Sequence, residues 1–260
     1  MNLIDVIILS TIEGFTEFLP VSSTAHLILS SYILGVARTD FLTTFEIAIQ
    51  LGAILAVIAV YFSKIKKQIN LLYMACIGFI PTGILGLIFY KYIKAAFGDP
   101  IIPVITLFVG GIVIIGIEYY FKTSLKRTAQ KPKTLKELTY KDALLVGLMQ
   151  SISMIPGVSR AASSIFGAMI LRFDRKSAVE FSFLLAIPTM LAATALDLAK
   201  SAPHFTTYEL LLLIFGILFS FVVALFVIKW LLRYVQNNDF ILFGFYRIVL
   251  SILYYLLFLK

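Results

Sequence analysis

Charge is what this sequence has least of. Only 14% of its 260 residues are Asp, Glu, Lys or Arg, against 60% hydrophobic, and a mean hydropathy of +0.99 lies far above the range of soluble domains. That shortage excludes a soluble globular enzyme and makes the chain a membrane protein. Cysteine is nearly absent: Cys76 alone leaves no disulfide framework and no cysteine metal site, and its place in an apolar run reads as a small buried hydrophobe. Paired metal-binding histidines, Walker-type phosphate loops and dinucleotide fingerprints are lacking too. Residues 1–12 have no basic n-region and no small-residue cleavage site, so no cleavable signal peptide is expected. The net charge of +8 falls in short connections between apolar runs, where it sets topology. No nucleic-acid partner is expected.

Long apolar runs, by contrast, recur at residues 45–62, 71–90, 103–121, 181–196, 210–228 and 241–259. Each is about long enough to cross a hydrocarbon core of roughly 30 Å as a helix, which predicts six spans. The connections orient them. Lys64, Lys66 and Lys67 follow the first run, and residues 122–142 carry Lys122, Lys126, Arg127, Lys131, Lys133, Lys136 and Lys141 against Glu137 and Asp142. These connections, with 172–176 and 229–239, are expected in the cytoplasm; residues 91–102 and 197–209, with a solvated His204, are expected outside.

Two further apolar segments, 1–12 and 143–155, are too short to span. Each runs into a proline-centred break, FLPVSSTAH or MIPGVSRAASS, followed by another short apolar helix. Such pairs read as re-entrant, one dipping from outside (1–36) and one from the cytoplasm (142–171), their tips meeting near the membrane middle. Val21-Ser22 matches Val158-Ser159 at an offset of 137, and Glu46 matches Glu180 at an offset of 134. Three full spans per half is an odd number, so the second copy must be inverted. The expected fold is an all-α integral membrane protein: six transmembrane helices plus two opposed re-entrant helix pairs in an inverted-topology repeat. Its parts are residues 1–121, a basic cytoplasmic connection at 122–141, and residues 142–260.

The stretch EGFTEFLPVSSTAHL, residues 13–27, concentrates the polar groups. Glu13 and Glu17, four apart, share a helical face, and carboxylates in hydrocarbon must be protonated, paired, metal-bound or wet. Ser22 and Ser23 stand at a helix start, where serine caps free amides and where those amides also suit a phosphate. His26 lies one turn on and is a candidate acid, base or proton relay. In the second break Arg160 follows Gly157 and Ser159; its planar fork suits phosphate oxygens, and a structural ion pair with Glu13 or Glu17 is the alternative. Gln150 corresponds to Glu13 at the 137 offset and is a candidate donor to an oxyanion or water. Arg247 and Glu46 are further intramembrane charges, read either as functional or as helix-end snorkelling and mutual neutralisation. This constellation is an anion clamp with hydroxyls and acid/base groups, and its substrate should carry phosphate and a lipid tail.

EGFTEFLPVSSTAHL, with the later PGVSR and EFSFLLAIP, resembles the undecaprenyl-diphosphate phosphatase family, also called the bacitracin-resistance protein family, along essentially the whole chain. The resemblance implies hydrolysis of undecaprenyl diphosphate to the monophosphate, recycling the cell-wall lipid carrier, in the bacterial cytoplasmic membrane with a site open to the outside. Carried over, the family's acidic pair falls on Glu13 and Glu17, its serine pair on Ser22 and Ser23, its histidine on His26 and its arginine on Arg160. Two departures stand out: Ala161 and Ala162 replace Ser-Gly and Ser164 replaces Thr in the second motif, and Ala25 stands where glycine is common. The catalytic expectation is Glu13, Glu17, Ser23, His26 and Arg160; the substrate-binding one is Ser22, Thr24, Gln150, Gly157, Ser159 and Ser164. Either Ser23 or a water activated near Glu13 and Glu17 attacks phosphorus. A divalent cation, Mg or Ca, on Glu13 and Glu17 is left open, as is a homodimer, and no organic cofactor is expected. The competing function is a transporter or flippase for a lipid phosphate or small anion.

Overall fold

The structure, a computed structural model, describes residues 1–89, 92, 101–128, 131–201 and 205–259. Ten α-helices of eleven residues or more carry these residues: α1 Leu3–Thr16, α2 Ser23–Ile33, α3 Asp40–Lys67, α4 Ile69–Ile88, α5 Ile101–Thr128, α6 Tyr140–Gln150, α7 Arg160–Ile170, α8 Arg175–Ser201, α9 Thr207–Asn237 and α10 Ile241–Phe258. No strand occurs among the described residues, only an isolated bridge between Lys133 and Phe173. The chain is an all-helical integral membrane protein. The described residues of each of the six apolar runs fall in one helix, to within a residue at its end. Among the described residues α3, α4, α5, α8 and α9 are long and apolar enough to cross a membrane, while α10 is a shorter apolar helix.

The two short segments fold as helix pairs with a break in each, α1 with α2 and α6 with α7. Their starts are capped alike. The Asn2 side chain accepts from the Asp5 amide and Asp5 accepts from the Asn2 amide; Thr139 and Asp142 form the same box. These reciprocal bonds satisfy amides that the first helical turn leaves open. α1 then lies on α9, and α6 on α4. Both contacts run through glycine, because a Cβ on Gly14 would stand 2.6 Å from the Ser220 carbonyl oxygen and one on Gly147 only 1.7 Å from that of Gly78.

One expectation needs correcting. Cys76 is exposed, not buried: it follows the fully buried Ala75 by about 100° of helix rotation, and apolar composition cannot separate a lipid-facing side from a packed one. The basic connection is largely helical at its start, since α5 continues to Thr128. On its far side, Lys133 pairs with Asp142 at 3.2 Å. The loop charges Lys91, Lys94 and Asp99, and His204, lie outside the described residues.

Candidate active site

Each break is made by a serine that caps the helix after it. Ser22 (φ 71°, ψ 92°) precedes α2 and Ser159 (φ 80°, ψ 117°) precedes α7. A non-glycine residue held at positive φ costs about 1–3 kcal/mol and persists only where its surroundings over-determine it. Here they do. The Ser22 hydroxyl accepts from the Ala25 amide at 3.4 Å and the Ser159 hydroxyl from the Ala162 amide at 3.1 Å. Gly157 (φ 88°) fits where a Cβ would stand 2.1 Å from Thr106 Oγ1, and that hydroxyl donates to the Pro156 carbonyl at 2.7 Å.

Arg247 ties the breaks together. It is fully buried in α10 and donates to five backbone carbonyls. Nη1 reaches Pro20 (3.2 Å) and Val158 (3.1 Å), Nη2 reaches Gly157 (2.9 Å) and Thr106 (2.9 Å), and Nε reaches Leu107 (3.4 Å). Neither snorkelling nor pairing with Glu46 describes it. Five donors in a rigid plane suit a guanidinium and no other side chain.

The polar centre forms where the breaks meet. Ser23 Oγ donates to Glu17 Oε2 at 2.6 Å, and Arg160 Nη2 donates to Glu17 Oε1 at 2.8 Å. Glu17 is thus held between a hydroxyl and a guanidinium, and all three side chains are largely buried. Arg160 Nη1 donates to the Ser182 carbonyl (3.1 Å) and hydroxyl (3.3 Å), and Ser164 shares a 2.7 Å hydrogen bond with that hydroxyl. Its guanidinium lies 5.6 Å from the Phe18 ring centroid, and Phe18 packs edge-on against Phe183. The Nε of Arg160 is buried without a protein partner. That leaves the Nε–H and the second N–H of Nη2 for ligand oxygens.

Glu13 is fully buried, and neither of its carboxylate oxygens has a hydrogen-bond donor. Glu17, Glu46 and Arg160 are the charges that act on it. Buried unpaired carboxylates demand a proton or a cation. Among the described residues no three His, Cys, Asp or Glu side chains gather as a metal site, so any cation would depend on Glu13, Glu17 and oxygens from elsewhere.

His26 is placed otherwise than its spacing implies. Its Nδ1 lies 2.7 Å from the Ser22 carbonyl and its Nε2 2.7 Å from the Tyr246 hydroxyl, so its ring bonds neither Ser23 nor Glu17. Gln150 is also apart: fully buried, it donates to Thr82 (3.2 Å) and Thr189 (3.0 Å). Thr24 is half-buried in the first turn of α2. Residues 13–27 and PGVSR supply Glu17, Ser23 and Arg160. Ser182, Tyr246 and Thr106 were not singled out, and Arg247 was left open between a functional and a structural reading. Ser182 lay inside EFSFLLAIP and Arg247 was visible as an intramembrane charge; Tyr246 and Thr106 carry no local signal.

The profile described as "Bacitracin resistance protein BacA" matches residues 6–253. The chain is 47% identical to the undecaprenyl-diphosphatase of Sulfurihydrogenibium sp. (strain YO3AOP1) over 98% of its length and 99% of the relative's. It is 46% identical to that of Persephonella marina over 98% and 99%, and 44% identical to that of Aquifex aeolicus over 97% of each. The break that carries Glu17 and Ser23 and the break that carries Arg160 both fall within the matched span, and the chain belongs to the bacitracin resistance protein BacA family.

Proposed function

We infer that this protein hydrolyses undecaprenyl diphosphate to undecaprenyl phosphate and inorganic phosphate, returning a cell-wall lipid carrier to use and conferring bacitracin resistance. The observation that carries the reading is Glu17 bridging the Ser23 hydroxyl at 2.6 Å and the Arg160 guanidinium at 2.8 Å, in a chain whose relatives are named for that activity. A carrier needs an anion clamp; it has no need of a hydroxyl bonded to a buried carboxylate. Ser23 attacks the terminal phosphorus, its proton passes to Glu17 Oε2, and the phosphoanhydride bond breaks with undecaprenyl phosphate leaving and taking that proton from Glu17. Water then attacks the phosphoserine with the freed Glu17 carboxylate as base, the Ser23 Oγ–P bond breaks, and the proton returns through Glu17 to Ser23 Oγ as inorganic phosphate leaves. Arg160, through Nε and the Nη2 that Glu17 holds, neutralises charge on the transferring group. An oxygen-rich pair such as Glu13 and Glu17 suits a hard divalent cation, Mg or Ca, which would supply further positive charge beside the diphosphate.

Orthophosphate release by purified protein in detergent, with and without chelator, tests hydrolysis against transport, because a pure carrier releases none. Ser23→Ala should lower kcat to below about one thousandth while leaving lipid-diphosphate binding within about tenfold, since one neutral hydrogen bond contributes about 1 kcal/mol. Rapid acid quench of the wild type should trap phosphoserine. Appreciable turnover without Ser23 transfers the attack to water activated by Glu17.

The helix pairs α1–α2 and α6–α7 are proposed to be re-entrant halves of an inverted repeat with six spans, in the bacterial cytoplasmic membrane and with the site facing out. Three correspondences at the offset of 137 support this: the capping boxes of Asn2 and Thr139, the positive-φ serines 22 and 159, and the Arg247 acceptors Pro20 and Gly157. Lengths support it as well. Helices of 14 and 11 residues rise about 21 and 16 Å, well short of a bilayer core. Cysteine labelling that puts positions 1 and 35 on opposite membrane faces would sink the re-entrant topology.

A further inference from the structure

We propose that Tyr246 is a positioning residue of the reaction: it holds the His26 ring so that Nδ1–H pins the Ser22 carbonyl, and through that carbonyl sets the Ser23 hydroxyl against Glu17. The inference rests on Ser23 being the reacting hydroxyl.

The hydrogen bonds assign the protons. A carbonyl oxygen can only accept, so His26 Nδ1 donates to Ser22 at 2.7 Å, and in the neutral ring the lone pair then lies on Nε2. Nε2 accepts from the Tyr246 hydroxyl at 2.7 Å, and the two rings stack with an interplanar angle of 7°. Both nitrogens are therefore spent on the fold. The Ser23 hydroxyl already has its acceptor in Glu17 Oε2, which leaves His26 no proton of the nucleophile to take.

The second break shows the same strut with a different side chain. Four residues after Ser159, the Ser163 amide and hydroxyl each donate to the Ser159 carbonyl at 3.0 Å. Four residues after Ser22, the His26 amide (3.3 Å) and Nδ1 donate to the Ser22 carbonyl. His26 and Ser163 do one job, bracing the carbonyl of a positive-φ serine. Ser163 does so unaided because its hydroxyl is short. A histidine ring reaching the same carbonyl needs a second anchor at its far nitrogen, and Tyr246 is that anchor, one residue before the arginine that binds the carbonyls of both breaks.

The test is a double-mutant cycle on phosphate release, with melting temperatures measured alongside. Tyr246→Phe removes only the hydroxyl and should lower kcat about tenfold with KM within about twofold, the loss of one hydrogen bond's worth of alignment. His26→Ser, which copies the second break, should keep at least about a tenth of wild-type kcat, whereas His26→Ala should fall well below it. In the His26→Ser background Tyr246→Phe should have no further effect, because its partner is gone. Wild-type turnover in Tyr246→Phe, an equal loss in both backgrounds, or His26→Ser as inactive as His26→Ala would each overturn the proposal, the last by returning His26 to proton transfer. Ser23→Ala measured in parallel separates the two readings: turnover retained there removes Ser23 as the reacting group and this proposal with it, while a dead Ser23→Ala beside an unaffected Tyr246→Phe removes the strut alone.

Discussion

Ser22 and Ser159 hold nearly the same backbone conformation and cap the following helix through the same i to i+3 bond, yet the next residue is Ser23 in one break and Arg160 in the other. The two breaks present these residues at one place, where Glu17 meets both. A single backbone device, used twice, thus delivers a hydroxyl from one side and a guanidinium from the other. The geometry is alike while the chemistry differs. What must be alike is whatever holds a strained serine in an apolar interior: a cap, a brace on its carbonyl, and Arg247 on the carbonyl two residues before it.

The sharpest way to break the comparison is to ask whether the second break supplies mere charge. Arg160→Lys is expected to lose nearly as much as Arg160→Ala, roughly a thousandfold in kcat, because lysine keeps the charge but not the planar fork that reaches Ser182 and Glu17 from separate nitrogens. Steady-state phosphate release checks this, and a lysine variant near wild type would show that the fork is dispensable. Next in size is the link between the breaks. Arg247→Leu removes a donor from five interior carbonyls, three of them in the breaks, and should lower the melting temperature by roughly 10 °C and kcat about a hundredfold. Loss of activity with unchanged stability would mean that Arg247 acts on substrate instead.

Smaller effects sharpen the likeness. Ser22→Ala and Ser159→Ala each keep the positive φ and lose a cap, so each should cost about 1 kcal/mol in denaturation. Ser159→Gly should cost less than Ser159→Ala, since glycine takes that φ freely and replaces a cap at a few tenths of a kcal/mol. Alanine variants differing by more than about 1 kcal/mol would show that the two serines are not equivalent. The smallest effect lies at the start of α6. Burial pushes the Asp142 carboxyl up, but bonds from Thr139 and Lys133 outweigh it and hold the group below its ordinary value. A lowered folded-state value stabilises above the ordinary aspartate range of about 3.9 and is lost as pH falls through the lower one. The melting-temperature difference between wild type and Asp142→Asn should therefore be a few degrees at pH 7 and vanish in strong acid.

How much of this was legible depends on whether a residue's meaning is local. Glu17, Ser23 and Arg160 could be named from residues 13–27 and PGVSR, because carboxylates, hydroxyls beside proline and an arginine in apolar runs are anomalous wherever the chain goes. The helix pairs were legible for the same reason: apolar segments about a dozen residues long cannot span. The partners of His26 were not legible because helical spacing gives a side chain's direction from its own axis and nothing about Tyr246, 220 residues away. Cys76 was misplaced because an apolar run has no preferred face when one side meets lipid and the other meets protein.

Composition and local pattern thus determined a helical membrane protein with two broken helix pairs and singled out Glu17, Ser23 and Arg160 as polar groups in apolar surroundings. Tertiary structure alone decided that Arg160 and Ser23 share Glu17, that Gln150 belongs with Thr82 and Thr189, and that Arg247 binds carbonyls rather than a carboxylate. The physical reason is the hydrogen bond itself. In hydrocarbon every polar group must find a partner, so the sequence announces that partners exist, but a bond that forms only within about 3 Å is assigned by whichever helices pack side by side.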